Sequence, residues 1–179
     1  MKIFKKIKLW FYVNFIFDFI SLMPTYFGIK LRRLFIKKFA KKCGKNFTAH
    51  DAVFFFYPKN LEIGDNVSIS RNTIIQSMSR LTIGDNVMIA SNCNIMTAHH
   101  GYSRSDLPMN LQQNTTNELI INDDVWIGNG VVLTSGARKV EIAKGVVIAA
   151  NSVVTKSILE ENTIWGGATS TFYKEKICA

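Results

Sequence analysis

Cysteine and proline are scarce in this chain, with three of each in 179 residues. So little proline, and no low-complexity tract, excludes a collagen-like or Pro-rich extended protein. Cys43, Cys93 and Cys178 are odd in number and lack ligand spacing. That excludes a disulfide framework or a zinc ribbon and suits a reducing compartment. Histidine is limited to His50, His99 and His100, so imidazole chemistry has few carriers. Long apolar runs are missing as well. The stretch LWFYVNFIFDFISLM, Leu9 to Met23, is interrupted by Asn14, Asp18 and Ser21. It falls short of the roughly 20 residues a spanning helix needs. Lys2, Lys5, Lys6 and Lys8 precede it as in a signal peptide, but the MPTYFG that follows offers no small-residue cleavage site.

Acidic residues are almost absent from the first quarter of the chain. Residues 1–45 hold 12 of the 22 Lys and Arg against one acid, Asp18, a formal +11. Residues 46–179 carry 10 basic and 12 acidic residues, a formal −2. The overall +9 therefore belongs to a basic head on a nearly neutral body. That head also holds 11 of the 21 aromatic residues, and its lysines alternate with Phe, Trp, Ile and Leu. Such interleaving suits an anionic membrane surface rather than nucleic acid. After Pro24 and Gly28, Leu31, Leu34, Phe35 and Phe39 recur at helical spacing, with Arg32, Arg33, Lys37, Lys38, Lys41 and Lys42 between them. The spacing predicts an amphipathic helical segment. It is expected to lie on a membrane surface or to cap the body or another subunit, and the two roles are compatible.

What is present in the body is a repeat of six. Aliphatic residues fall at Ile63, Ile69, Ile75; Ile83, Ile89, Ile95; Ile121, Ile127, Leu133; and Ile142, Ile148, Val154. Ala49 and Phe55 extend the series backwards, and every extra residue falls after a third hexad. A triangular coil of three short strands explains this, with one aliphatic per strand stacked along the axis and all insertions at one corner. Three places after an aliphatic stand Asn66, Asn72, Asn86, Asn92, Gly130, Gly136, Gly145 and Asn151, residues that tolerate positive φ. The next position is mostly small or β-branched, for example Val67, Thr73, Ser79, Cys93, Val125, Ala137 and Ser152, which predicts a second inward site. Cys93 then reads as a buried filler.

This pattern resembles the hexapeptide-repeat acyltransferases over roughly residues 44–174. IGDNVMIASNCNIMTAHHG, INDDVWIGNGVVLTSG and IAANSVVTK are similar to the galactoside, maltose and xenobiotic acetyltransferase branch. The head leading into the first coil resembles acetyltransferases of bacterial capsule and lipopolysaccharide synthesis. The resemblance implies an all-β, left-handed parallel β-helix of about five coils. It has an N-terminal amphipathic α-helical segment and one long projecting loop. The implied organisation is a head over 1–45, a β-helix over 46–160 with its loop at 99–118, and a tail over 161–179.

The loop HHGYSRSDLPMNLQQNTTNE is long for a connection without structure of its own, a common mark of function. Moving an acetyl group from a thioester to a hydroxyl needs a base near neutral pH, and imidazole supplies one. Aligned with the family, His100 takes the general-base position, Pro108 follows at the matching spacing, and His99 is a neighbour that shapes the acceptor pocket or caps the hexad. The resemblance further implies acetyl-CoA as donor and direct transfer in a ternary complex, without a metal. The cofactor arm is expected between two subunits of a homotrimer, against Trp126, Asn129, Ala150, Thr155 and Lys156. Acceptor contacts are expected from His99, Ser70, Asn72, Tyr102, Ser103, Arg104 and Asp106. The sugar-acetylating branch has Asn and Asp where this chain has Ser70 and Met78. The usual Pro and basic residue of the tail are Ala168 and Ser170 here, which leaves Lys174 and Lys176 for the CoA phosphates. Arg138 and Lys139 are expected to project near the same groove.

The combined reading is an acetyl-CoA-dependent O-acetyltransferase acting on a sugar or lipid-linked saccharide. Its place is the cytoplasmic face of a bacterial plasma membrane, with no nucleic-acid partner. Four alternatives stand beside it: nucleic-acid binding through the basic head, an N-acetyltransferase of an amino sugar, a non-catalytic trimeric scaffold, and a three-histidine metalloenzyme of the carbonic-anhydrase type. The last needs imidazoles converging from neighbouring coils, whereas His50 lies two coils before the His99–His100 pair.

Overall fold

A computed structural model describes residues 15–168 and 171–175. Lys2 to Lys8, Ser170 and Lys176 lie outside them. Strands of two to five residues form three faces of a left-handed parallel β-helix. The first face carries Lys42–Cys43, Leu61–Ile63, Leu81–Ile83, Leu119–Ile121 and Val140–Ile142. The second runs through Thr48–Ala49, Ser68–Ile69, Met88–Ile89, Trp126–Ile127 and Val147–Ile148 to Thr163–Gly166, with Thr171–Glu175 added antiparallel. The third carries Phe54–Phe56, Ile74–Gln76, Asn94–Met96, Val132–Thr134 and Val153–Val154. The five expected coils are complete, and a sixth begins with the Ile142–Ile158 bridge and Thr163–Gly166.

The hexad aliphatics stack in register. Ile63 pairs with Ile83, and Ile121 continues the column to Ile142; Ile69, Ile89, Ile127 and Ile148 form the second column. Phe55, Ile75, Ile95, Leu133 and Val154 form the third. All are buried, and each such side chain contributes about 1.5–3 kcal/mol of transfer free energy. The second inward site is also real. Val67, Val87, Val125 and Val146 fill one corner, and Thr73, Cys93, Val131 and Ser152 fill the next. At the third corner the inward residue comes two places after the aliphatic, at Ser77, Thr97 and Ser135, so Ala137 is exposed and Ser79 only half-buried. Hydroxyls suit that corner because they bond to backbone carbonyls there: Ser77 Oγ donates to Phe56 O and Tyr57 O, both at 3.0 Å.

The first two corners turn through left-handed residues. Asn66, Asn72, Asn86, Asn92, Asn151, Gly130 and Gly145 have φ between 56° and 71°, as their residue types predict. Gly136 does not; a Cβ there would instead overlap the His99 ring. Side chains run a second ladder along one corner. Asn46 Nδ2 donates to Asn66 Oδ1 and Asn66 Nδ2 to Asn86 Oδ1, each at 3.0 Å. Asp65 and Asp85 accept backbone N–H groups from the preceding coil at 2.6 Å.

The head closes the first coil. Residues 15–22 form α1, Thr25–Phe39 forms α2, and Pro24 separates them. The inward face of α2 is Gly28, Arg32 and Ile36, four apart, rather than the stripe through Leu34, which is exposed. Arg32 is fully buried and reaches the C-terminal carbonyls of α1: Nη1 donates to Ile20 O at 2.7 Å and Met23 O at 2.8 Å, and Nε to Ala49 O at 2.8 Å. A cation at a helix C-terminus is favourable, which offsets part of its desolvation. Phe17 stacks on Phe35 at 4.3 Å and meets Phe55 of the first coil at 6.1 Å. The outer surface of the cap nevertheless presents Phe15, Phe19 and Leu22 from α1, and Tyr26, Phe27 and Leu34 from α2. Among the described residues, no helix is long and apolar enough to cross a membrane.

Candidate active site

Every insertion sits at the third corner, so one edge of the prism carries all the irregular chain. The long loop leaves it after Thr97 and is drawn shut at its base, where Ala98–His99 pairs antiparallel with Thr115–Thr116. Asn117 seals the return: its N–H donates to Thr97 O at 3.1 Å and its Nδ2 to Gly136 O at 2.8 Å, while its carbonyl accepts from Ser135 Oγ at 2.8 Å. Inside the loop, Gln112 donates from Nε2 to Arg104 O at 2.7 Å and to Leu107 O at 3.0 Å. Pro108 opens the short 3-10 turn Met109–Leu111. The loop therefore has its own hydrogen-bonded frame.

His100 stands exposed at the mouth of this loop, and its ring nitrogens have no protein hydrogen-bond partner among the described residues. His99 is half-buried and turned into the loop base. Its Nδ1 lies 2.8 Å from His100 O, its ring within hydrogen-bond reach of Thr115 Oγ1, and Tyr102 packs 5.5 Å away. Arg104 and Asp106 pair with each other on the exposed part of the loop; the guanidinium holds the Asp106 carboxyl below its ordinary range. Thr155 and Lys156 lie on the same edge. Register aligns Lys156 with Ser135 and Thr97, two coils or about 10 Å from the start of the loop. Arg138 and Lys139 lie on it one coil closer, and Lys139 is shared between Glu118 and Glu141.

The remaining predicted residues gather elsewhere. Trp126 faces outward on the second face, half-exposed. Asn129 and Ala150 stack at the corner between the second and third faces, where the N–H of Asn151 donates to Asn129 O at 2.7 Å. Ser70 and Asn72 occupy the same corner two coils below Asn129. The third face, roughly 16 Å of extended chain, separates this corner from the loop edge. The predicted residues thus fall into two groups on two edges of the described chain.

The residues the hexads did not reveal are Thr115 and Asn117. Thr115 closes the loop through antiparallel pairing and Asn117 through its own backbone and side-chain bonds, both outside the six-residue period. Cys93 is buried, with Sγ 3.2 Å from Gly128 O; burial pushes its thiol up and leaves it unfit as a nucleophile. Among the described residues, no group of three or more His, Cys, Asp or Glu is arranged to hold a metal ion. His50 lies in the first coil, apart from the histidine pair.

A left-handed β-helix with a histidine-bearing loop on one edge defines the class of scaffold. The comparisons place the chain within it. It is 38% identical over 133 residues to a candidate acetyltransferase of Saccharomyces cerevisiae, covering 74% of this chain and 64%, just under two thirds, of the yeast protein. It is 27% identical over 148 residues to a candidate lipopolysaccharide-biosynthesis O-acetyl transferase of Escherichia coli, covering 79% of this chain and 70% of the other. A solved maltose O-acetyltransferase from Clostridium difficile superposes with a TM-score of 0.81 at 28% identity, covering 93% of this chain and 85% of that one. A galactoside acetyltransferase in complex with coenzyme A superposes with a TM-score of 0.77 at 30% identity, covering 89% and 76%. No family model matches the chain. The chain belongs to the hexapeptide-repeat acetyltransferases.

Proposed function

We propose that the protein transfers the acetyl group of acetyl-CoA to a sugar hydroxyl in the synthesis of a surface polysaccharide, with His100 as general base. The observation that carries this is the exposed His100 imidazole, unpartnered among the described residues, at the mouth of the long loop, on the edge that also carries Thr155 and Lys156. His100 accepts the acceptor's O–H proton while that oxygen attacks the thioester carbonyl. The tetrahedral oxyanion is held by a backbone N–H and collapses by breaking the C–S bond. The imidazolium then returns its proton to the departing CoA thiolate. No acyl-enzyme forms, consistent with the buried Cys93.

The two groups are read as half-sites that complete one another across subunits. The loop edge of one copy, with His100, Arg104, Asp106 and Lys156, faces the Trp126, Asn129 and Ala150 side of the next, and acetyl-CoA lies between them. Ser70 and Asn72, on that same corner, then face the acceptor. Three copies close such a head-to-tail contact into a ring. The outward residues of the second and third faces support this, since Met88, Trp126, Val147, Ile164, Ile74, Val132 and Val153 are apolar, beside uncharged Ser68, Gln76, Asn94 and Thr134, while the first face is laced with ion pairs. The aromatic and basic outer surface of the cap supports docking on the anionic inner face of a bacterial plasma membrane, where a lipid-linked saccharide would be presented.

The test is thiol release from acetyl-CoA by wild type and His100→Ala. The acceptors are free sugars, amino sugars and lipid-linked saccharides, the last in anionic and in neutral vesicles. A loss of about 10³-fold with a hydroxyl acceptor, and higher wild-type rates on anionic vesicles, are expected. Near-intact transfer by His100→Ala would overturn the base assignment. Transfer confined to amino sugars would move the reaction to nitrogen. Sedimentation of the same preparation at the mass of a single 20.2 kDa chain would remove the shared site.

A further inference from the structure

We propose that His99 is a positioning residue that holds the His100 backbone, and through it the direction of the His100 imidazole. The inference rests on the reading of His100 as the base. His99 Nδ1 lies 2.8 Å from His100 O, and Thr115 Oγ1 lies 3.0 Å from Nδ1 and 3.1 Å from Nε2. A carbonyl oxygen only accepts, so Nδ1 carries the proton. With the proton on Nδ1, Nε2 is an acceptor, and the Thr115 hydroxyl lies within reach of it. Nδ1 is thereby spent inside the loop.

The surroundings make that geometry specific. His99 and Thr115 are direct partners in the antiparallel rung that closes the loop. One coil further along the axis, Gly136 leaves the space the ring occupies; a Cβ there would overlap His99 Cδ2. Because Gly136 has no positive φ, its lack of a side chain serves this packing rather than a turn. The Gly136 carbonyl is in turn held by Asn117 Nδ2 at 2.8 Å. The ring is thus clamped between the loop's closing rung and the next coil, and its one N–H points at the peptide carrying His100. A base must be held close to its productive direction, and small misplacements cost rate rather than binding.

Two amide variants separate this role from packing. The side-chain nitrogen of Asn overlays imidazole Nδ1, whereas that of Gln overlays Nε2. With whichever acceptor supports thiol release, His99→Ala is expected to lower kcat about 30-fold with the KM for acetyl-CoA within about threefold of wild type. His99→Asn should regain most of that loss, and His99→Gln should stay near the Ala variant. Equal losses for Asn and Gln, or an effect confined to KM, would overturn the proposal. NMR of the wild type labelled with 15N-histidine supplies a readout that needs no acceptor. The His99 proton is expected on Nδ1, and an Nε2–H tautomer would overturn the assignment. His100→Ala distinguishes the two levels. If it remains active, the base reading fails; if it is inactive while His99→Ala turns over like wild type, the positioning inference alone fails.

Discussion

The corner between the first and second faces and the corner after the third face solve the same problem in opposite ways. The first turns the chain through a single residue at positive φ in successive coils, with Asn46, Asn66 and Asn86 handing a hydrogen bond up the axis. Every such corner has the same length because the backbone conformation itself makes the turn. At the third corner Tyr57 of the first coil is left-handed, but Ser77, Thr97 and Ser135 of the following coils are not; there inward hydroxyls close the corner by bonding to nearby backbone carbonyls. Once the hydroxyl is bonded, the chain beyond it is free to run straight on or to make a long excursion. Among the described residues the irregular chain therefore collects on the third edge, and the loop that bears His99 and His100 leaves from it.

The strongest test of this contrast is to shorten the long excursion. Excising residues 102–113 and joining Gly101 to Asn114 through a Gly-Ser link should leave urea stability within about 1 kcal/mol, since loop-closure entropy varies only slowly with length. The acetyl-transfer rate should fall by about 10³-fold, equivalent to about 4 kcal/mol of transition-state stabilisation, because the frame around His100 goes with the loop. A cooperative loss of fold on excision would show that the third edge is structural after all.

At the first corner the expectation reverses. Asn86→Val places a β-branched side chain at φ 57° and removes the acceptor for Asn66 Nδ2. The strained conformation and the lost bond together should cost about 2–3 kcal/mol by urea denaturation. The same residue introduced at Ala137, exposed on the third edge, should change stability by less than about 0.5 kcal/mol. Comparable costs at the two positions would erase the distinction between the corners.

How much of this was legible in the sequence follows the same division. The hexads revealed the axis columns, the Asn and Gly corners and the edge that takes insertions, because each depends on a residue type repeated at a fixed spacing. The place of His100 at the mouth of the loop was legible from the motif around it. The inward hydroxyls of the third corner were not, since Ser77, Thr97 and Ser135 fall out of step with the inward sites of the other corners. Thr115 was hidden because its partnership with His99 spans the loop. The head was misread at Arg32 for a different reason. Hydropathy assigns an arginine to solvent, whereas here the C-terminal carbonyls of α1 and Ala49 O receive its Nη1 and Nε N–H groups and offset part of the cost of burial, while Nη2 is buried without a partner among the described residues. Leu34 was displaced outward in consequence.

The smallest expected effect sharpens the comparison between faces rather than corners. Glu62 on the first face accepts from Lys41 Nζ at 2.9 Å and Arg80 Nε at 3.0 Å, and Arg80 continues to Glu118. The hydrogen bond from Lys41 leads the causes that hold the Glu62 carboxyl below its usual range. A carboxyl depressed in the folded state contributes stability that is complete above its ordinary value of 4.5 and is lost as pH falls through the lowered one. Because Lys41 and Arg80 are more than half exposed, solvent and salt screen the pair. Glu62→Gln should therefore cost less than about 1 kcal/mol at pH 7 and low salt, less again in 0.5 M salt, and nothing once the carboxyl is protonated in acid. A larger cost, or one indifferent to salt, would mean that the charged face is held against another surface rather than facing water. The assignment of subunit contact to the second and third faces would then have to be reversed.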